Sequence, residues 1–356
     1  MKERLLDIYS DYLIAQSQLA TATGLSALLE GHLSHDQITR FLNKNEFSSK
    51  DLWYYVKPTV LQQANSSGVL ILDDAIEEKP YTDKNSIVQW YFSHAKHRCV
   101  KGINILSCLV RYDDVALPIG FEIVHKDLNV CDPKTGREFQ RSTVTKNELA
   151  RGLIKQALVN QVPFEHVLAD NWFSSKEMMT FIHYEMKKKF VLGLKSNRLV
   201  ALVDGSGKRG QYQNLNELNP KNGQVLRVAL KNCSIPLILI TKIFKNEDGS
   251  TGQVYIVTND LDKDNDRIYE IYQKRWRIEE YHKSIKQNSS LEKSPTRTLL
   301  SQKNHLFASL IGYCKLECLK LKTALNHFAL KYKLILRANR AAYLELQKLR
   351  ESTSSA

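Results

Sequence analysis

Val69-Leu70-Ile71-Leu72-Asp73-Asp74-Ala75 is the stretch on which the reading of the fold turns. Before it, residues 1–60 carry apolar side chains at helical spacing, among them Leu5, Ile8, Tyr9, Tyr12 and Leu13. Within it, four apolar residues run unbroken and stop at two acids, as in a strand buried on both faces. Beyond it, Ile103 to Tyr112 and Val115 to Val124 flank Asp113-Asp114 and predict a hairpin. Thr145-Lys146-Asn147-Glu148 is a capping box that opens a helix through Leu149, Leu153, Ile154 and Ala157. Phe164 to Ala169 predicts another buried strand, ending at Asp170. Ser174-Ser175-Lys176-Glu177 caps the next helix, and Phe190 to Leu194 returns as a strand. Strand, hairpin, helix, strand, helix, strand describes an α/β layer on a mixed sheet.

Further out the pattern changes twice. Upstream, Ser34-His35-Asp36-Gln37 opens a short helix bearing Ile38, Phe41 and Leu42 after a turn at Gly31. That suits a helix-turn-helix and equally a plain three-helix packing module. Downstream, Leu199–Val203, Gln224–Leu230, Ile235–Phe244 and Gly252–Val257 alternate with Gly, Asn, Asp and Lys turns, a β-rich insertion. From Asp264 the chain is helical again and increasingly basic. The expected division is a helical region at 1–64, a catalytic core at 65–195 and 262–315, the insertion at 196–261, and a basic helical region at 316–356.

A net charge of +13 and a pI near 9.3 favour a polyanionic partner, nucleic acid or an anionic membrane surface. The excess is weighted to residues 261–356, with about 19 Lys and Arg against about 10 Asp and Glu. Six scattered cysteines include no C-x2-C pair, which argues against a zinc finger and for a reducing cytosol. Cys314 and Cys318, one turn apart, read as core. The N-terminus lacks the apolar run of a signal peptide. The longest apolar stretch, Leu306 to Cys314, is about half a membrane span. A soluble cytoplasmic protein is expected, without a membrane partner.

Two aspartates at strand ends can meet at the rim of a sheet. Paired carboxylates repel unless a cation lies between them, and a hard divalent ion such as Mg2+ or Mn2+ suits them. A third acid comes from DNDRIYEIYQKRWRIEEYHKSIKQN, residues 264–288. On one helix, Tyr272, Arg275, Glu279 and Lys286 fall within about 60° of one another. Ile271, Ile278 and Ile285 form a second stripe roughly 100° away that belongs to a core. The first stripe is either functional or a solvated surface in which Arg275 and Glu279 pair.

The spacing Y-x2-R-x3-E-x6-K resembles the signature of the IS-four-type DDE transposases of bacterial insertion sequences, with all four residues matched. LDDA at 72–75 looks like that family's first-aspartate block and LADNWFSS at 168–175 like its second. The resemblance covers most of residues 65–315. It implies a ribonuclease-H-like, retroviral-integrase-like catalytic core with a β-rich insertion. It implies a metal-binding catalytic triad of Asp74, Asp170 and Glu279, with Asp73 competing for the first place. It also implies two Mg2+ or Mn2+ ions, and DNA contacts from Tyr272, Arg275 and Lys286. The substrate would be double-stranded DNA, both transposon terminal inverted repeats and target. A homodimer would form the synaptic complex, associated with the bacterial nucleoid.

Other residues divide between uses. Lys208 and Arg209, in a Gly-rich turn of the insertion, either grip DNA backbone or decorate an unconstrained loop. Family members often stack a flipped base on a tryptophan of the insertion, but Trp53, Trp90, Trp172 and Trp276 all lie outside it. Hairpin formation therefore stays open, and Trp172 is expected to pack in the core. His94 and His97 have no partner suggesting zinc. Lys331, Lys333, Arg337 and Arg340 could meet DNA or a second subunit. Two rival functions stand beside transposition: a stand-alone nuclease of the same fold, and a non-catalytic transposase-derived DNA-binding protein.

Overall fold

Helix starts are set locally, by caps. The computed structural model describes residues 2–65, 68–93, 96–136 and 138–354; His94 lies outside them. Four helices come first, α1 (Lys2–Ala15), α2 (Ala22–Leu28), α3 (His35–Lys44) and α4 (Ser49–Gln63). The Thr21 hydroxyl accepts the Gly24 N–H at the start of α2, and Ser34 and Gln37 form a reciprocal capping box on α3. Gly31, at φ 79°, turns the chain between them. The first three helices close over Tyr9, Leu13, Leu25, Ile38 and Phe41. Helix α4 instead commits Leu52, Trp53, Val56 and Val60 to the main core.

Strand β1 (Val69–Glu78) begins the sheet. It outruns its apolar segment, so Asp73 and Asp74 do not end it as expected. Pairing with the next long strand carries it on to Glu78. Then come β2 (Val88–Ser93), β3 (Arg98–Tyr112) and β4 (Val115–Ile123), with Asp113 at φ 47° turning the anticipated β3–β4 hairpin. A separate ribbon, β5 (Leu128–Cys131) and β6 (Glu138–Arg141), precedes α5 (Lys146–Val159), which opens at the Thr145–Glu148 capping box. After β7 (His166–Ala169), α6 (Lys176–Thr180) runs into a π-helical turn and leads to β8 (Lys189–Leu194).

The β-rich stretch supplies β9 (Leu199–Leu202), β10 (Gln213–Asn214), a single turn α7 (Leu215–Leu218), β11 (Val225–Leu230), β12 (Leu237–Lys245) and β13 (Thr251–Thr258). Its strands extend the main sheet, because β13 pairs antiparallel with β8. The full order is β10-β9-β11-β12-β13-β8-β7-β1-β3-β2, with β4 beside β3. At its centre, β4 and β1 each run antiparallel to β3, while β1, β7 and β8 run parallel.

The last segment was expected to begin as one helix. It is α8 (Asn265–Gln273), a 3-10 turn at Lys274–Trp276 and α9 (Arg277–Gln287). Ile271, Ile278 and Ile285 nonetheless all stay buried, as their spacing requires. Helix α10 (Leu299–Thr323) is the axis of the molecule. Its Ala308 completes the N-terminal core, while Leu306, Phe307, Leu310 and Ile311 belong to the main one. Cys314 is buried as expected, whereas Cys318 is only part-buried. Helix α11 (His327–Ser354) ends the described chain. Lys331 on it is buried and donates to the Ile14 and Gln16 carbonyls, so it caps α1 rather than offering charge to a partner. Among the described residues no helix is long and apolar enough to cross a membrane.

Glu317 joins these parts. It is 1% exposed, accepts the Ala116 N–H of β4 at 2.9 Å and ion-pairs with Lys320 at 2.8 Å and His327 at 2.7 Å. Removing a buried charge while its partners stay costs about 3–5 kcal/mol. Glu317→Ala should therefore lower the stability of the whole chain by about that amount in urea unfolding, against less than about 1 kcal/mol for the exposed Glu345→Ala.

Candidate active site

The parallel ladder between β1 and β7 ends at the pair Leu72–Ala169. One step further the same register brings Asp73 level with Asp170, on one face because side chains alternate along both strands. Asp73 also pairs across with Ser107 of β3, whose hydroxyl lies 3.1 Å from the Tyr281 hydroxyl of α9. The Asp73 face is thus the one that α9 covers. Asp74 points to the other face. Asn104 donates to one of its oxygens at 2.5 Å, and Lys146, at the start of α5, to the other at 2.8 Å. Asp74 is thus held by Asn104 and Lys146, and Asp73 is the acid that the register sets level with Asp170.

Charge crowding marks the same pair. Burial, with Asp170 and then Asp74 adding like charge, raises the Asp73 carboxyl from the usual 3.8 to about 7. The Asp74 N–H, at 2.9 Å, and Arg275 only partly offset this. Asp170 follows β7 directly, and one of its oxygens accepts the Trp172 N–H at 2.9 Å, which folds the loop into an Asx turn. Trp172 is 48% exposed at the mouth of the site, contrary to the expected core packing. The Lys146 and Lys195 ammonium groups lie 5.1 and 4.5 Å from its ring centre.

The helical stripe arrives as expected in part. Arg275 and Glu279 form an ion pair at 2.9 Å, and the guanidinium stands 5.7 Å over the Tyr272 ring. Burial first, then the neighbouring Asp170 and Glu279, hold the Tyr272 hydroxyl above its ordinary range, with Arg275 opposing. Arg275 also feels Asp73. Tyr272, Arg275, Glu279, Asp73 and Asp170 accordingly make one electrostatic group. Lys286 is turned to structural partners, the Ile76 carbonyl and Glu292, both at 3.0 Å. Lys208 and Arg209 lie in the turn after β9, where the Lys208 N–H binds Asp204 and Arg209 bridges Val203.

Two participants escaped the sequence reading. A Cβ on Gly193 would lie 2.9 Å from both the Asn171 nitrogen and the Tyr272 hydroxyl oxygen, so only glycine lets that phenol approach the Asp170 loop. His282 continues the stripe, three residues after Glu279 and four before Lys286, a spacing visible in the sequence. Its Nε2 is buried without a hydrogen-bond partner, and burial lowers its pKa to about 4.

A different cluster, Glu165, His166 and Asp260, also has ligand-like spacing. It lies at the opposite end of β7 and is already neutralised: Lys189 and Lys263 each stand 2.9 Å from Asp260. Burial works against the Asp260 charge, yet hydrogen bonds from Lys263, Lys189 and His166 prevail and hold it far below the carboxylate range. Two ammonium groups occupy the place of a cation there. Asp73 and Asp170 face each other beside Arg275, whose charge is shared with Glu279.

Comparison with known families agrees with this geometry. Residues 1–214 match the model described as DDE superfamily endonuclease, and residues 129–315 match that of the Transposase DDE domain. The chain belongs to the DDE transposase family. No curated protein matches it in sequence. DDE superfamily enzymes act on DNA with divalent metals, and the mixed sheet with flanking helices is the ribonuclease-H-like fold of such transposases.

Two expectations follow for the site. The unfolded Asp73 ionises near 3.8 and the folded one near 7, so folding takes up a proton between them and this group's contribution falls as pH rises through that window. Asp73→Asn should therefore be more stable than the parent in metal-free buffer. The gain should grow from pH 4 to 7 and level off above that at roughly 4 kcal/mol by denaturant melts; a pH-independent difference contradicts the crowding. Gly193→Ala should fold with a loss of about 1–3 kcal/mol. It should lower metal-dependent DNA cleavage by on the order of 10- to 100-fold through displacement of Tyr272 and the Asp170 loop.

Proposed function

We propose that this DDE-family chain is an IS-four-type transposase that cuts DNA at transposon ends and joins the freed ends to target DNA. One observation carries the reading: the β1–β7 register sets Asp73 level with Asp170, and α9, which bears Glu279 paired with Arg275, covers the same face. The raised Asp73 carboxyl is what uncompensated acids produce, so hard oxygen ligands and unmet negative charge fit divalent cations. Asp73, Asp170 and Glu279 would hold them, Mg2+ or Mn2+ and as a pair. The chemistry such ions supply when bound is activation of a water or a DNA 3′-hydroxyl and stabilisation of the leaving oxygen.

The chain's own groups would do the positioning. Glu279 is tied to Arg275 at 2.9 Å, and in this reading the guanidinium leaves that carboxylate for a phosphate, which its planar fork grips by two hydrogen bonds. Tyr272, held against the Asp170 loop by Gly193, offers a hydroxyl beside the same phosphate. Lys286 would contribute as a point charge after exchanging Glu292 for DNA. Lys208 and Arg209, exposed beyond β9, would touch the backbone further along the duplex. The division into a helical N-terminal region, a core interrupted by the β-rich stretch and a basic C-terminal region belongs to the same proposal. So do two copies holding two DNA ends near the nucleoid.

The test uses duplexes carrying the terminal sequences that flank the coding region, with Mg2+ or Mn2+. The parent should cleave and then join, while Asp73→Ala and Asp170→Ala should each lose at least 10³-fold in cleavage yet keep DNA binding. Unchanged cleavage by both variants removes these acids from the chemistry. Cleavage without joined product favours a stand-alone nuclease, and binding without cleavage in the parent favours a non-catalytic descendant.

A further inference from the structure

Beyond Leu72, strand β1 has a partner on one side only. Its pairing with β7 stops at Leu72, whereas β3 accompanies it to Glu78. From Asp73 onward its free edge therefore lies between two walls, one on each face of the sheet. On the Asp73 face stands α9, whose Lys286 donates to the Ile76 carbonyl at 3.0 Å. On the Asp74 face stand Lys146, 2.8 Å from Asp74, and Tyr91 of β2. Tyr91 shares that face because Gln89, two residues before it, lies opposite Gly102, which lies opposite Glu78. Burial, and then the charge of Asp74, raise the Tyr91 hydroxyl above its ordinary range.

This second wall is a row of lysines. The Lys195 and Lys146 ammonium groups share the Trp172 ring, at 4.5 and 5.1 Å from its centre. Lys126 stands 4.2 Å over the Tyr91 ring and donates to the Trp90 carbonyl at 2.5 Å. Burial first, then the charges of Lys84 and Lys146, lower the Lys126 pKa, so these three are neighbours and Trp172 adds Lys195 to them. Among the described residues the row makes one ion pair, that of Lys146 with Asp74. Cations gathered with so little counter-charge suit a polyanion. Rings and a carbonyl already hold the ammonium groups in place, so less side-chain freedom is lost when phosphates arrive. Two cationic walls astride one strand edge fit a duplex, which is charged along both backbones. A single strand would occupy only one of them.

We infer that Lys84, Lys126, Lys146 and Lys195 bind the phosphate backbone of the second strand of the duplex, opposite the strand that meets α9 and the acids. The inference rests on the proposed function in one respect, that DNA enters this site, and needs no chemistry there. Binding of the full chain to the terminal duplex is measured in EDTA over a range of salt. Lys126→Ala/Lys195→Ala should weaken it about 10-fold or more at low salt. The slope of log affinity against log salt should flatten by about 1.8, the share of two phosphate contacts. Lys126→Arg/Lys195→Arg should keep the parent slope, and the thermal melts of all three proteins should coincide. Uncharged methylphosphonates placed in either strand should weaken binding by the parent. In the alanine variant those in one strand should fall silent, while those in the other keep their full effect. Unchanged affinity or slope overturns the inference, as does a parent that binds no duplex or a variant in which both strands fall silent together. Cleavage that persists in Asp73→Ala and Asp170→Ala beside a flattened slope would remove the catalytic reading and leave this one standing.

Discussion

The constraint on which the rest depends is the crowding of negative charge where β1 and β7 stop pairing. A parallel ladder must end somewhere, and here it ends one residue before an aspartate on each strand. The backbone then holds the two carboxylates level without any side-chain attraction to bring them there. Everything nearby is organised around that repulsion. Helix α9 delivers Arg275 as a partial counter-charge, Asp74 is turned to the opposite face and given its own lysine, and the Asp170 loop is folded back by its own side chain. A hydrophobic core strong enough to impose this arrangement is a precondition. Leu70, Ile71, Leu72, Val167, Leu168 and Ala169, all at most 1% exposed, supply it directly beneath the acids.

Much of this was legible in the sequence because it is local. Capping boxes at Ser34 and Thr145 set helix starts, Asp113 turned the hairpin, and the isoleucine stripe found the core across a 3-10 irregularity. The α/β order and the pairing of Arg275 with Glu279 were readable too. What could not be read depends on distant partners. A strand's length is set by what it pairs with, so β1 ran on to Glu78 alongside β3 although its apolar run stopped at Leu72. Which of Asp73 and Asp74 stands level with Asp170 is set by the β1–β7 register, and nothing in residues 69–75 carries that information.

Side-chain surroundings were hidden for the same reason. Trp172 is an aromatic beside a strand end, usually a packing residue, but the Asx turn at Asp170 swings it outward between two lysines. Lys331 read as surface charge and is in fact the cap of a helix more than three hundred residues earlier in the chain. Gly193 looked like one more residue of a strand; its lack of a side chain matters only because Tyr272, some eighty residues on, needs the space.

Helix α10 carries a consequence for how the chain comes into being. The N-terminal helices cannot close their own core, since Ala308 seals it and His305 takes the hydrogen bond of the buried Tyr9 hydroxyl at 2.9 Å. During synthesis the first helices therefore emerge long before the surface that covers them exists. They must wait, with Tyr9, Leu13 and Phe41 incompletely covered, until α10 has been made. A segment made early is thus finished by one made late.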